Sequence, residues 1–159
     1  NKNIYRIFSS PLLRARKTAE IIQAGINHTP IEISALLNEV HSPYDGFPIS
    51  DLESKHWDIY SNISSEYEQP EDIFKRVYKF ANKIQDLYKG NEIIAVTHAD
   101  VIVFLTLWIH GYKPEYKNKA LIEKKSIDIP FPGNASITKT VWSEGCMTPQ
   151  YEYISADEV

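Results

Sequence analysis

A chain of 159 residues, 43% apolar and 24% charged, is long enough to bury one real core and too short to expect two domains. That composition excludes a disordered tail or a disulfide miniprotein, and a net charge of −4 leaves no excess of cations for a nucleic-acid backbone. One cysteine, Cys146, permits neither an intramolecular disulfide nor a thiolate metal cluster and suits a reducing cytoplasm, and the longest apolar stretch, Val101 to Ile109, is far shorter than a membrane span.

In chain order, Ile4-Tyr5-Arg6-Ile7-Phe8 is β-prone and runs into Ser9-Ser10-Pro11, where serine as N-cap and proline as first helical residue signal a helix. Leu12, Ala15, Ala19 and Ile22 then recur at helical spacing, and Gly25 is expected as a left-handed C-cap. After a loop through Asn27 to Pro30, Ile31 to Ser34 predicts a short strand leading into Leu37-Asn38-Glu39 and a turn-rich stretch, Ser42 to Gly46. A short helix is expected from Ser50 to about Tyr60, with Ser50 and Glu53 forming a capping box.

Pro70 opens the strongest helical pattern, with Ile73, Val77, Phe80, Ile84 and Leu87 on one stripe before Gly90. Ile93 to Val96 has the continuous apolar character of a parallel strand buried on both faces, and it ends at Thr97-His98 before an apolar helix from about Asp100 to His110. A basic, polar connection from Lys113 to Lys125 follows, then two late strands at Ala135 to Trp142 and Tyr151 to Ile154. This alternation predicts an α/β fold: a mainly parallel sheet with helices on both faces and right-handed crossovers, in a single domain over 1–159.

In such sheets ligands sit beyond the carboxyl ends of the strands, which draws attention to 9–16 and 97–100. Arg14 falls in the opening turn of a helix, where a cation faces the positive end of the dipole unless an anion is held there; the ordinary alternative is a surface arginine covering apolar neighbours. His98 ends a buried strand and could equally be a core histidine tied to a carbonyl, and Glu39 could simply face water. Taken together, an arginine fork, an imidazole and a carboxylic acid suit phosphoryl transfer without a metal.

The segment Ser10-Pro11-Leu12-Leu13-Arg14-Ala15-Arg16-Lys17-Thr18-Ala19-Glu20 resembles the second signature of the histidine phosphatase superfamily, the phosphoglycerate mutase-like group. Leu37-Asn38-Glu39 with Gly46 resembles its acid-bearing loop, Val96-Thr97-His98-Ala99-Asp100 its second histidine motif, with Ala99 where glycine is usual, and Asn134 to Thr138 its late strand. The resemblance implies a phosphoglycerate mutase-like three-layer sandwich and a phosphate pocket of Arg14, His98 and Ser10. In it Arg14 binds the phosphoryl group, His98 stabilises its charge and Glu39 is proton donor and later base.

It also implies an Arg-His-Gly tripeptide with the nucleophilic histidine, and this sequence contains none. His28, His41, His56 and His110 lie in turns or short helices and do not replace it. The expectation is therefore an N-terminal truncation of roughly 40 residues that removes the first strand, its loop and a helix. The intact protein is expected to be a metal-independent phosphomonoesterase acting through phosphohistidine on a phosphorylated small molecule or phosphoprotein, with no cofactor, no nucleic acid and no membrane. A noncatalytic phosphate-binding protein and a mutase-type phosphotransferase are the alternatives; a purely structural or interaction module has only the many tyrosines in its favour.

Overall fold

Ile4–Ser9 (β1), Ile31–Ile33 (β2) and Glu92–Val96 (β3) form a parallel sheet in the order β2-β1-β3 in the computed structural model, which describes residues 4–26, 28–143 and 148–158. Asn27 and Cys146, which entered the sequence argument, lie outside the described residues. Registers Ile7↔Ile31 and Ile7↔Ile94 make β1 the central strand. Its alternating side chains explain its burial: Ile7 and Phe8 point to opposite faces and both are fully enclosed.

Leu13–Gly25 (α1) connects β1 to β2 and lies against all three strands. Pro70–Leu87 (α3) lies on the connection from β2 back across β1 to β3. Right-handed crossovers running in opposite directions put these helices on opposite faces. The face opposite α1 is filled by Phe8, Leu37, Phe80 and Ile84, with Phe8 and Phe80 in edge-to-face contact at 5.3 Å. This is the expected α/β arrangement with helices on both faces.

Ala99–Ile109 (α4) packs beside α3, and Tyr116–Glu123 (α5) beside α4, around a second cluster that includes Ile73, Val77, Phe104, Leu107 and Ile122. The late strands Ile137–Val141 (β4) and Gln150–Ile154 (β5) pair antiparallel with each other, as a sheet separate from the parallel one among the described residues.

Several local expectations are corrected. Proline at 11 does not open α1: the helix starts at Leu13 without a side-chain cap, because the Ser10 hydroxyl is occupied by His98 and by the Leu12 N–H. Gly25 closes α1 within the helix, Ile26 occupies the C-cap, and it is His28 that takes a positive φ. The helix expected at 50–60 is shorter: α2 spans Ile49–Ser54, is preceded by Pro48 and has no capping box. The chain breaks there because His56 and Trp57 both adopt positive φ, which helical backbone cannot. On α3 the stripe is buried except for Leu87, in the last turn. β3 is only half-buried, since β1 is its one strand neighbour among the described residues. The Lys113–Lys125 connection contains α5, whose Lys119 is buried.

Candidate active site

The chain leaves β1 toward β2 on one side and leaves β3 by α4 on the other. A parallel sheet opens a crevice beyond its strand ends where connections diverge in this way. Ser10 and His98 sit at that point: the Ser10 N–H donates to the Val96 carbonyl (2.9 Å), and both side chains are buried. His98 Nε2 and Ser10 Oγ are 2.8 Å apart, with the Ser10 hydroxyl also 3.4 Å from Asn38 Oδ1.

Glu39 reaches the same crevice from beyond β2. Its Oε2 accepts from Arg14 Nη2 at 3.2 Å and lies 3.1 Å from His98 Nδ1. One carboxylate oxygen is thus shared by a guanidinium delivered by α1 and an imidazole delivered by the end of β3. Arg14, Glu39, His98 and Ser10, singled out in the sequence for separate reasons, form one continuous set of contacts.

Burial works against the charge on Glu39, but the hydrogen bond and charge of His98, the Val40 N–H and the Arg14 guanidinium together hold its carboxyl below the ordinary 4.5. It therefore rests as a carboxylate, which also answers the dipole problem of an arginine in the first turn of α1. Arg14 is the solvent-facing member, with a side chain 63% exposed, so its pairing with Glu39 is open to displacement by a competing anion. Among the described residues no group of three or more His, Cys, Asp or Glu is gathered to hold a metal ion.

Residues that the sequence argument missed hold this set in place. Asp100, in the first turn of α4, accepts from the buried Tyr60 hydroxyl and pairs with Lys119 Nζ at 3.2 Å, which also meets Glu123 at 3.2 Å. Burial first, and then the adjacent Asp100 carboxylate, push the Tyr60 phenol far above its ordinary value, so it remains a donor. Arg76 of α3 bonds the loop that bears Glu39. A lysine inside a basic stretch and a tyrosine at the expected end of a short helix carried no periodic signal. Asp100 stood in the quoted histidine motif without a reason to assign it a partner.

The model of the histidine phosphatase superfamily (branch 1) matches residues 1–148, and the chain belongs to that superfamily. It is 26% identical over 125 residues to the uncharacterized phosphatase PhoE of Bacillus subtilis (strain 168), a match covering 79% of this chain and 63% of that protein, so the chain spans less than two thirds of that relative.

Among solved structures, Bacillus stearothermophilus YhfR superposes with a TM-score of 0.68 at 21% identity, covering 92% of this chain and 71% of that one. The protein described as Mycobacterial hydrolase 1 superposes with a TM-score of 0.70 at 16% identity, covering 96% and 76%. These likenesses establish the phosphoglycerate mutase-like fold. Among the described residues no helix is long and apolar enough to cross a membrane.

Proposed function

We propose that the chain provides most of the phosphoryl-transfer site of a phosphomonoester hydrolase that works through phosphohistidine. The observation that carries this reading is the single oxygen Glu39 Oε2 held at once by Arg14 and His98. An anionic oxygen between a guanidinium and an imidazole is what a phosphoryl oxygen would be, so the carboxylate stands where substrate charge belongs.

When phosphate takes Arg14 and His98, Glu39 loses the partners that hold it ionised and gains a dianion as neighbour, and both changes favour its protonated form. The group can then act as acid. A histidine nitrogen attacks phosphorus, the bond to the leaving oxygen breaks, and the Glu39 proton goes to that oxygen. In the second half Glu39 takes a proton from water as the water oxygen attacks phosphorus and the N–P bond breaks. By the resemblance, the attacking histidine would be that of an Arg-His-Gly segment; none of the 159 residues here is assigned that role.

The short stretch between Glu39 and Pro70 favours hydrolysis over mutase chemistry, which needs a larger lid to retain a phosphorylated intermediate. The substrate is a phosphorylated small molecule or phosphoprotein, and a single cysteine in 159 residues fits a cytoplasmic setting. The lack of Arg-His-Gly in this sequence favours one second reading, a phosphate-binding protein without turnover.

Titration of this chain with inorganic phosphate or vanadate tests the site, with perturbation of the His98 ring signals expected. Absence of binding would falsify both readings. Hydrolysis of p-nitrophenyl phosphate by the full-length protein, surviving chelator, is expected of the enzyme; phosphate binding with no turnover selects the second reading.

A further inference from the structure

The Glu39 carboxylate is fixed from the front by Arg14 and His98, and a different set of contacts fixes the backbone behind it. Arg76, on α3, donates from Nη1 to the Leu36 carbonyl (3.0 Å) and from Nη2 to the carbonyl of Glu39 itself (3.3 Å). Two further donors go to Glu68: Nε to Oε1 at 2.7 Å and Nη2 to Oε2 at 3.2 Å. Glu68 in turn accepts the His41 N–H at 2.9 Å, and its own N–H donates to the His41 carbonyl at 3.1 Å.

The segment from Leu36 to His41 has no strand or α-helix to hold it after its single 3-10 turn, Ala35–Leu37. The Leu37 carbonyl goes to Thr97 Oγ1 at 2.8 Å, beside His98, and the Leu37 side chain is buried against Phe8 and Phe80. Asn38 Oδ1 accepts from the Ser10 hydroxyl at 3.4 Å, and the contacts to the carbonyls of Leu36 and Glu39 and to the backbone of His41 trace to Arg76 or to Glu68. Both are largely withdrawn from solvent, with side chains 14% and 24% exposed, so their pairing is screened less than a surface ion pair. Packing alone would set the depth of the loop without setting its rotation, and a carboxylate one torsion out of place misses both partners.

We propose that Arg76, braced by Glu68, is the positioning residue for Glu39: its guanidinium fork sets the loop so that the carboxyl group meets Arg14 and His98. Arg76 touches no substrate atom and acts only through the loop. A planar fork with five donors can span two carbonyls and a carboxylate together; an ammonium of the same charge cannot. The inference rests on the proposed role of Glu39 in the phosphate site.

The test is the titration of the Glu39 carboxyl carbon by NMR, assigned by its disappearance in Glu39→Gln, in the wild type, Arg76→Lys and Arg76→Met. The expected result is a midpoint that moves up toward the ordinary glutamate value in both variants, since lysine keeps the charge and loses the fork. A merely structural role lowers the melting temperature and leaves the midpoint in place. An unmoved midpoint in folded Arg76→Lys, or one shifted in Arg76→Met and restored in Arg76→Lys, overturns the proposal. If Arg76→Met does not fold, Glu68→Gln replaces it, with the same upward movement expected and an unmoved midpoint again counting against the idea. Inorganic phosphate added to the wild type separates the two levels: no binding there sinks the function of the site, whereas phosphate binding with an unmoved midpoint sinks only the role of Arg76.

Discussion

Two clusters of charge lie two residues apart on the chain and are built to opposite ends. Around His98, one carboxylate serves two cationic partners and Arg14 stands largely in solvent. Around Asp100, both carboxylate oxygens are taken by groups inside the protein, Tyr60 and a lysine only 3% exposed. The first cluster can be opened by any anion that outbids Glu39. In the second there is nothing for a ligand to displace, and it ties α5 and the 58–60 segment to the start of α4. A site that exchanges its counter-ion thus stands on one that does not.

The sharpest way to break that contrast is Lys119→Met, which leaves Asp100 buried with only Tyr60 and is expected to cost about 3–5 kcal/mol in urea unfolding. Pairing it with Asp100→Asn should recover part of the loss; no recovery would mean that the charge on Asp100 is not what Lys119 serves. Arg14→Ala is expected to do the reverse. It should weaken phosphate binding about 10- to 100-fold, the worth of a hydrogen bond to a charged group, while costing less than about 1 kcal/mol of stability. Unchanged phosphate affinity in that variant would remove Arg14 from the site. Tyr60→Phe takes one donor from a buried carboxylate and should cost about 1–3 kcal/mol without touching phosphate affinity.

The smallest effect concerns pH. The carboxyl of Glu39 is held below its ordinary 4.5 in the folded chain, so its contribution to stability is present above that value and is lost as pH falls through the folded one. Wild type should therefore lose more stability than Glu39→Gln between pH 6 and pH 3, and equal losses would show that the carboxylate is not held as described. Phosphate binding should carry the complementary sign. Protonation of Glu39 accompanies binding, so affinity declines as pH rises through that window, beyond what phosphate's own ionisation gives, and the decline is absent in Glu39→Gln.

How much of this could be seen in the sequence depended on distance along the chain. Arg14 and His98 mark two strand-to-helix junctions and Glu39 precedes a turn beyond a short strand, so local pattern located them, and the resemblance supplied Ser10 as a phosphate contact. Their mutual contacts were not legible, because three strands had to be ordered before β1 could be placed between the others. Arg76 was hidden for a similar reason: on a helix with a strong apolar stripe, an arginine off that stripe is expected to face water, and its partners at 36, 39 and 68 are loop positions. Lys119 defeated the rule that lysines are exposed, and α5 was missed with it. The capping box of α3, made by Gln69 and Asp72, escaped notice because glutamine is not a usual N-cap.

The indole rings of Trp108 and Trp142 are stacked, with centroids 6.2 Å apart and planes only 19° from parallel. Trp108 rides the far end of α4, the helix whose near end follows His98, and Trp142 follows β4. A pair this close couples its electronic transitions, so the protein carries a built-in optical gauge of how α4 is seated against the late hairpin. Its near-ultraviolet dichroism can be followed as phosphate is added, with no label introduced and the site itself left untouched.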